Sequence, residues 1–233
     1  MGVFALAFLI ISFVAIPEPA LGRGKNVKYE HSAWNFRHFV LGAVAIFFYV
    51  GIEIGIPNEM IFYINNLGFE GSAAVAGTLS AAYWLLMLCG RFLSSIISGK
   101  VSTRLQMIIV SSVAIALLLI AIFLPESMGM TIKGGEVPLK CAFIAACGLC
   151  TSIMWGAIFN LAVEGLGKYT AIASGAFMTM VCGGGILIPL QGWIADITHS
   201  FQTSYIVVVL CAAYILFYAL IGSKNVNKDI ITK

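Results

Sequence analysis

The chain has 233 residues, 61% hydrophobic and only 10% charged, with a formal net charge of +3 and a mean hydropathy of +1.01. Soluble domains carry about 25% charged residues, so a chain this poor in charge has lipid as its solvent. That excludes a soluble globular protein, and so small a net charge offers no argument for a nucleic-acid partner.

Apolar runs of roughly 20 residues, the length that crosses a core of about 30 Å, are expected near 3–17, 37–65, 74–97, 104–124, 138–161, 169–193 and 203–222. The fold class is therefore all-α transmembrane, with about seven helices. Backbone groups in lipid must be satisfied within their own segment, and the runs are continuous rather than alternating, unlike a barrel's. The first run is the shortest and follows no basic residue, so it is not a signal peptide; it reads as a helix with an incomplete beginning. Taking the 17–36 loop as cytoplasmic puts eleven of the thirteen basic residues on one side, with only Lys133 and Lys140 on the other. The positive-inside rule favours that orientation, N-terminus outside and C-terminus inside.

The second run concentrates costly intramembrane polar residues: Glu53, Pro57, Asn58, Glu59 and Tyr63. Pro57 has no N–H, so the Glu53 carbonyl loses its helical partner and a kink is expected. Glu53 and Glu59 lie about 240° apart around a helix and cannot share a face. Glu53 is expected to line a cavity; Glu59 lines one too, pairs with a neighbouring helix or is solvated at the outer interface. Trp155 and Asn160 in the fifth run, and Gln191 with Trp193 in the sixth, offer ring faces and amides that suit sugars. The alternatives are interhelical hydrogen bonds for the amides and an interfacial belt for the tryptophans, above all for Trp193. Gly51 and Gly55 form a G-x-x-x-G for close helix approach, and Gly183-Gly184-Gly185 before Pro189 marks a helix that could bend as a gate or merely pack closely.

The six cysteines fall in apolar runs. Cys147 and Cys150 form a C-x-x-C without a second pair of ligands, so they read as small apolar residues. No metal or cofactor is expected. Neither H-E-x-x-H nor G-x-S-x-G occurs, and the last run has no lysine for a Schiff base, so the chain is not expected to be an enzyme.

An ordered set of motifs carries a family resemblance. Phe48-Tyr49-Val50-Gly51-Ile52-Glu53, Gly90-Arg91-Phe92 and Ser152-Ile153-Met154-Trp155-Gly156-Ala157-Ile158-Phe159 come first. Gly165-Leu166-Gly167-Lys168-Tyr169-Thr170, Gly183-Gly184-Gly185-Ile186-Leu187-Ile188-Pro189 and Gly192-Trp193-Ile194-Ala195-Asp196 complete it. Over about 36–218 the chain resembles the C-terminal half of the fucose/glucose/galactose–proton symporters of the major facilitator superfamily. That family has twelve helices in two halves with the sugar bound between them.

The resemblance implies that 1–17 is the end of helix six of an absent N-terminal half. Residues 18–36 would then be the cytoplasmic loop between halves, 37–222 the six-helix C-terminal bundle and 223–233 a cytoplasmic tail. It implies a bacterial inner membrane, with sugar and proton as the full transporter's substrates and the N-terminal half as partner. Arg91, Lys100 and Arg104 resemble the basic helix-eight-to-nine loop, whose cations contact helix ends and acids at the cytoplasmic gate; a purely topogenic role is the alternative. Trp155 corresponds to a sugar-contacting aromatic whose following proline is Gly156 here. Glu53 stands where the fucose branch has an amide and other branches have Glu. The family's proton-coupling carboxylates lie in the other half, so the resemblance assigns none to this chain. Glu53, Asn58, Trp155, Asn160 and Gln191 are thus the expected sugar-binding residues. Two other readings compete: a self-contained seven-helix binding or receptor-like protein, and a homodimer of this half.

Overall fold

The computed structural model describes residues 2–14 and 31–226. Expectations resting on Pro17, Arg23, Lys25, Lys28, Lys228 and Lys233 lie outside them. Two units, residues 1–30 and 31–233, are described separately. In the first, α1 (Gly2–Phe13) is an uncharged, apolar 12-residue helix, and its Ser12 hydroxyl donates to the Phe8 carbonyl at 2.8 Å.

Among its described residues the second unit is a helical bundle with one hairpin. Its helices are α2 (Arg37–Asn66), α3 (Ser72–Ile97), α4 (Thr103–Phe123), α5 (Lys140–Thr151), α6 (Met154–Val163), α7 (Thr170–Thr179), α8 (Gly183–Thr198) and α9 (Phe201–Phe217). The pairs α5–α6 and α7–α8 each form one interrupted span. Six segments of the described residues are then long and apolar enough to cross a membrane, at the positions expected for the second to seventh runs. This is an integral membrane protein.

Capping chemistry sets the ends. The Ser102 and Ser200 hydroxyls accept from the Leu105 and Thr203 amides at the starts of α4 and α9, as N-cap serines do. The packing of the bundle reaches back to a 3-10 turn at Ala33–Asn35, because fully buried Phe36 packs against Tyr169 with centroids 5.6 Å apart and rings tilted by 54°.

One end of the bundle collects Arg37, Lys100, Arg104, Lys168 and Lys224. There Arg104 donates from Nε to the Ala219 carbonyl at 2.7 Å, and from Nη2 to the Leu220 carbonyl. These carbonyls belong to a π-helical turn at Tyr218–Gly222 that ends the last span, so Arg104 satisfies a helix C-terminus as basic residues do. At the opposite end, β1 (Gly129–Ile132) pairs antiparallel with β2 (Gly135–Pro138). The turn needs positive φ at both Lys133 (50°) and Gly134 (82°), the conformation that matches strand twist in a two-residue hairpin. The hairpin fills the segment between the fourth and fifth apolar runs. Beside it Glu126 accepts from the Tyr63 hydroxyl (3.1 Å), from Lys140 (3.5 Å) and from Gln202, so Lys140, 1% exposed, is buried in an ion pair.

Two helix crossings are very close. A Cβ at Gly148 of α5 would lie 2.2 Å from the Tyr83 carbonyl of α3, and one at Gly183 of α8 would lie 2.0 Å from the Phe47 carbonyl of α2. Close packing thus accounts for Gly183, and Gly184 touches Val50, while Gly185 faces open space. The G-x-x-x-G of Gly51 and Gly55 seats Leu187 and Gln191 of α8.

Candidate functional site

Two interruptions of helical hydrogen bonding meet in the middle of the bundle. The first is Pro57, through which α2 continues. The Glu53 carbonyl that Pro57 leaves without a partner accepts from the Tyr83 hydroxyl of α3 at 3.0 Å. Thr151 Oγ1 lies 3.1 Å from the same hydroxyl and can donate to it. Near the proline, Tyr205 of α9 donates to the Ile56 carbonyl at 3.0 Å. Tyr83→Phe is expected to lower stability by about 1–3 kcal/mol, since it leaves a buried acceptor unpaired. Thermal unfolding in nanodiscs, with Tyr214→Phe as a less buried control, measures this.

The second interruption is at Ser152–Ile153, between α5 and α6. Both carbonyls at the break are engaged by side chains from other helices. Tyr49 of α2 donates to the Thr151 carbonyl at 3.2 Å, and Arg91 of α3 donates from Nε to the Ser152 carbonyl at 3.3 Å. Arg91 Nη2 also lies 3.7 Å from Glu53 Oε1. One turn below Glu53 on the same helical face, the Tyr49 hydroxyl is close to its carboxylate. One guanidinium therefore joins the broken span to the carboxylate beside the proline.

Sequence reasoning grouped Arg91 with the basic loop. It lies within α3, inside the run expected over 74–97, and its guanidinium reaches the Glu53 carboxylate and the Ser152 carbonyl. Lys100 lies in the exposed turn between α3 and α4, and Arg104 in the first turn of α4.

Around Glu53 and Arg91 opens a cleft of about 640 Å³, bordered by Ser94, Gln106, Ser152, Trp155 and Asn160 among others. The Trp155 ring is held parallel to Phe159 (5.8 Å, 14°) and edge-on to Phe177 (6.2 Å, 86°). Gln106 is fixed by accepting from Ser94 at 2.9 Å and donating to the Val101 carbonyl at 2.9 Å. The cleft combines an anionic acceptor, a cationic multiple donor, hydroxyls, amides and an aromatic ring. Such a set can hold a neutral polyhydroxylated solute.

Of the residues expected to bind sugar, the structure brings together Glu53, Trp155 and Asn160. Gln191 is not with them: it is 1% exposed and packs at the α2–α8 contact against Gly55, where α8 closes on the other side of α2. Asn58 is half-buried on α2 and lines neither this cleft nor the second one. Glu59 is not solvated but 3% exposed; it lines a separate cleft of about 520 Å³ with Asp196 and Asn65. The two glutamates thus face different cavities, as their 240° separation requires. Trp193 and Pro189 are exposed on α8. Sequence reasoning named Tyr49 and Ser152 only within motifs, without a role, and missed Tyr83 and Thr151. The only available signal was chemical: each freed carbonyl needs a buried hydroxyl or guanidinium donor.

A family model described as Major Facilitator Superfamily matches residues 1–189. The chain belongs to the Major Facilitator Superfamily. Among curated relatives, a glucose/galactose transporter of Brucella abortus (strain 9-941) is 33% identical over 231 residues, 95% of this chain and 52% of the relative. An L-fucose-proton symporter of Escherichia coli K12 is 26% identical over 224 residues, 95% of this chain and 49% of the relative. The chain thus spans about half the length of the curated relatives it matches. A crystal structure of the superfamily transporter FucP in the outward conformation superposes with a TM-score of 0.78 at 22% identity. It covers 96% of this chain and 53% of that one, and it supports the fold.

Proposed function

We propose that this chain supplies the C-terminal half of a proton-coupled transporter for a hexose or fucose-like sugar in a bacterial cytoplasmic membrane. The cleft is the observation that carries the reading: Glu53 and Arg91 meet at two helix interruptions, with Trp155 one turn away. Broken helices whose freed backbone groups lie near midplane are a recurring transporter device. The names of the relatives point to the substrate class. The basic end of the bundle would be cytoplasmic, and alternating access would rock this half against an N-terminal half across the cleft.

Sugar hydroxyls would bond to Glu53, Arg91 and Asn160, while a C–H face of the ring lies on Trp155. The test is uptake of labelled fucose, glucose and galactose, driven by an imposed proton gradient, in proteoliposomes of the full transporter. Trp155→Ala is expected to weaken apparent sugar affinity by about 1 kcal/mol, roughly fivefold, and Trp155→Phe to recover much of it. Uptake of none of the three sugars by the unsubstituted protein would overturn the reading.

A further inference from the structure

The second cleft holds a feature that sugar binding does not use. Glu59 is 3% exposed, and its Oε2 has no hydrogen-bond partner among the described residues. The same is true of Nε2 of neighbouring Gln191, itself 1% exposed. Gln191 packs against Gly55, one turn below Glu59, and Glu59 Oε1 lies 3.5 Å from where a Gly192 Cβ would stand. Two orphaned buried polar groups therefore lie close together at the α2–α8 contact, and one of them lines an open cleft.

From the geometry we infer that Glu59 is a proton-binding site of this half, exchanging its proton through the cleft lined by Asn65, Asn66 and Asp196. An ionised carboxylate at this depth is costly unless a counter-charge compensates it. The titratable groups facing it are a second carboxyl, Asp196 from α8, and Tyr205 from α9, whose hydroxyl is already donated to the Ile56 carbonyl. Within α2 the nearest carboxylate, Glu53, lies on the other face and is paired with Arg91. No basic side chain is paired with Glu59 among the described residues.

The carboxyl is therefore neutral as long as water does not reach it. Protonated, Glu59 becomes a donor as well as an acceptor. When the cleft hydrates, the proton passes from Glu59 to water as hydronium and the carboxylate is solvated; the reverse step restores the neutral acid. A metal cation fits less well, because a hard cation takes six or more oxygens at close range and one buried carboxylate with exposed neighbours does not supply them. This inference deepens the symport reading by giving this half a proton site of its own.

The experiment is an infrared titration of the purified chain in lipid nanodiscs between about pH 5 and pH 9. It follows the C=O stretch of a protonated carboxyl. A band lost on raising the pH is expected in the unsubstituted protein, missing in Glu59→Gln and retained in Asp196→Asn. Retention of the band in Glu59→Gln, or no such band in the unsubstituted protein, would overturn the inference. So would loss of the band on adding Na⁺ at constant pH, which would reassign the site to a metal cation. Circular dichroism serves to check that Glu59→Gln is folded. The titration needs neither sugar nor transport, so failed sugar uptake with an intact Glu59 band would remove the sugar reading alone.

Discussion

Glu53→Gln in the full transporter is expected to weaken sugar binding by about 1.5–3 kcal/mol, about ten- to hundredfold, the range for a hydrogen bond to a charged group. The substitution keeps the size and planarity of the side chain, removes the charge and replaces one acceptor oxygen with an amide donor. It leaves the Glu53 carbonyl bonded to Tyr83, because that bond belongs to the backbone. Stability should hardly change. The Arg91 side chain is 57% exposed and that of Glu53 19%, so the pair is worth less than about 1 kcal/mol to the fold. Affinity and stability are thereby separated, which a merely structural role for Glu53 would not allow. Equilibrium sugar binding and unfolding temperature measured on one preparation make the comparison, and unchanged affinity would remove Glu53 from the site. Arg91→Lys serves as the companion variant. A lysine offers one point of charge where the guanidinium fork reaches both the Ser152 carbonyl and Glu53, so Arg91→Lys should also lose affinity.

The spans were legible in the sequence because lipid imposes a simple condition, and every apolar run of about 20 residues over 37–222 became a helix or an interrupted pair of helices. Pro57 was legible too, since a missing N–H has one certain consequence four residues earlier. Which side chain answers that carbonyl was not. Tyr83 is 30 residues away on another helix, and no periodicity within α2 points to it. The break at Ser152–Ile153 was hidden for a related reason. It carries neither proline nor glycine, and its freed carbonyls are stabilised by Tyr49 and Arg91 from two other helices. Gln191 shows the opposite limit: an amide in an apolar run is equally suited to a cavity or a helix contact, and only the seating of Gly55 decides. For Glu59, the face was readable from helical geometry but burial was not, because depth depends on how α8 and α9 close over the end of α2.

Gly148→Val is expected to reduce folded protein severely, and its cause ties the fold to the cleft. A Cβ there would lie 2.2 Å from the Tyr83 carbonyl and 3.0 Å from its carbon, both backbone atoms that no rotamer change can move. The helices α3 and α5 must separate, and overpacking of this kind costs about 1–3 kcal/mol or more. Tyr83 sits at the contact, so the separation also pulls its hydroxyl from the Glu53 carbonyl and from Thr151. The carbonyl freed by Pro57 would then be buried without a donor, adding roughly 1–3 kcal/mol. Because both losses follow from one displacement, Gly148→Val combined with Tyr83→Phe should be less damaging than the sum of the two. Gly77→Ala is the control: it lies in α3 with nothing within 4 Å of the added carbon, and alanine in an open helical position stabilises by about 0.5–1 kcal/mol. Folded yield and unfolding temperature of the four variants give the answer. Full additivity would show that the α3–α5 crossing and the donor to Glu53 act independently, against the close coupling that the contact at Tyr83 implies.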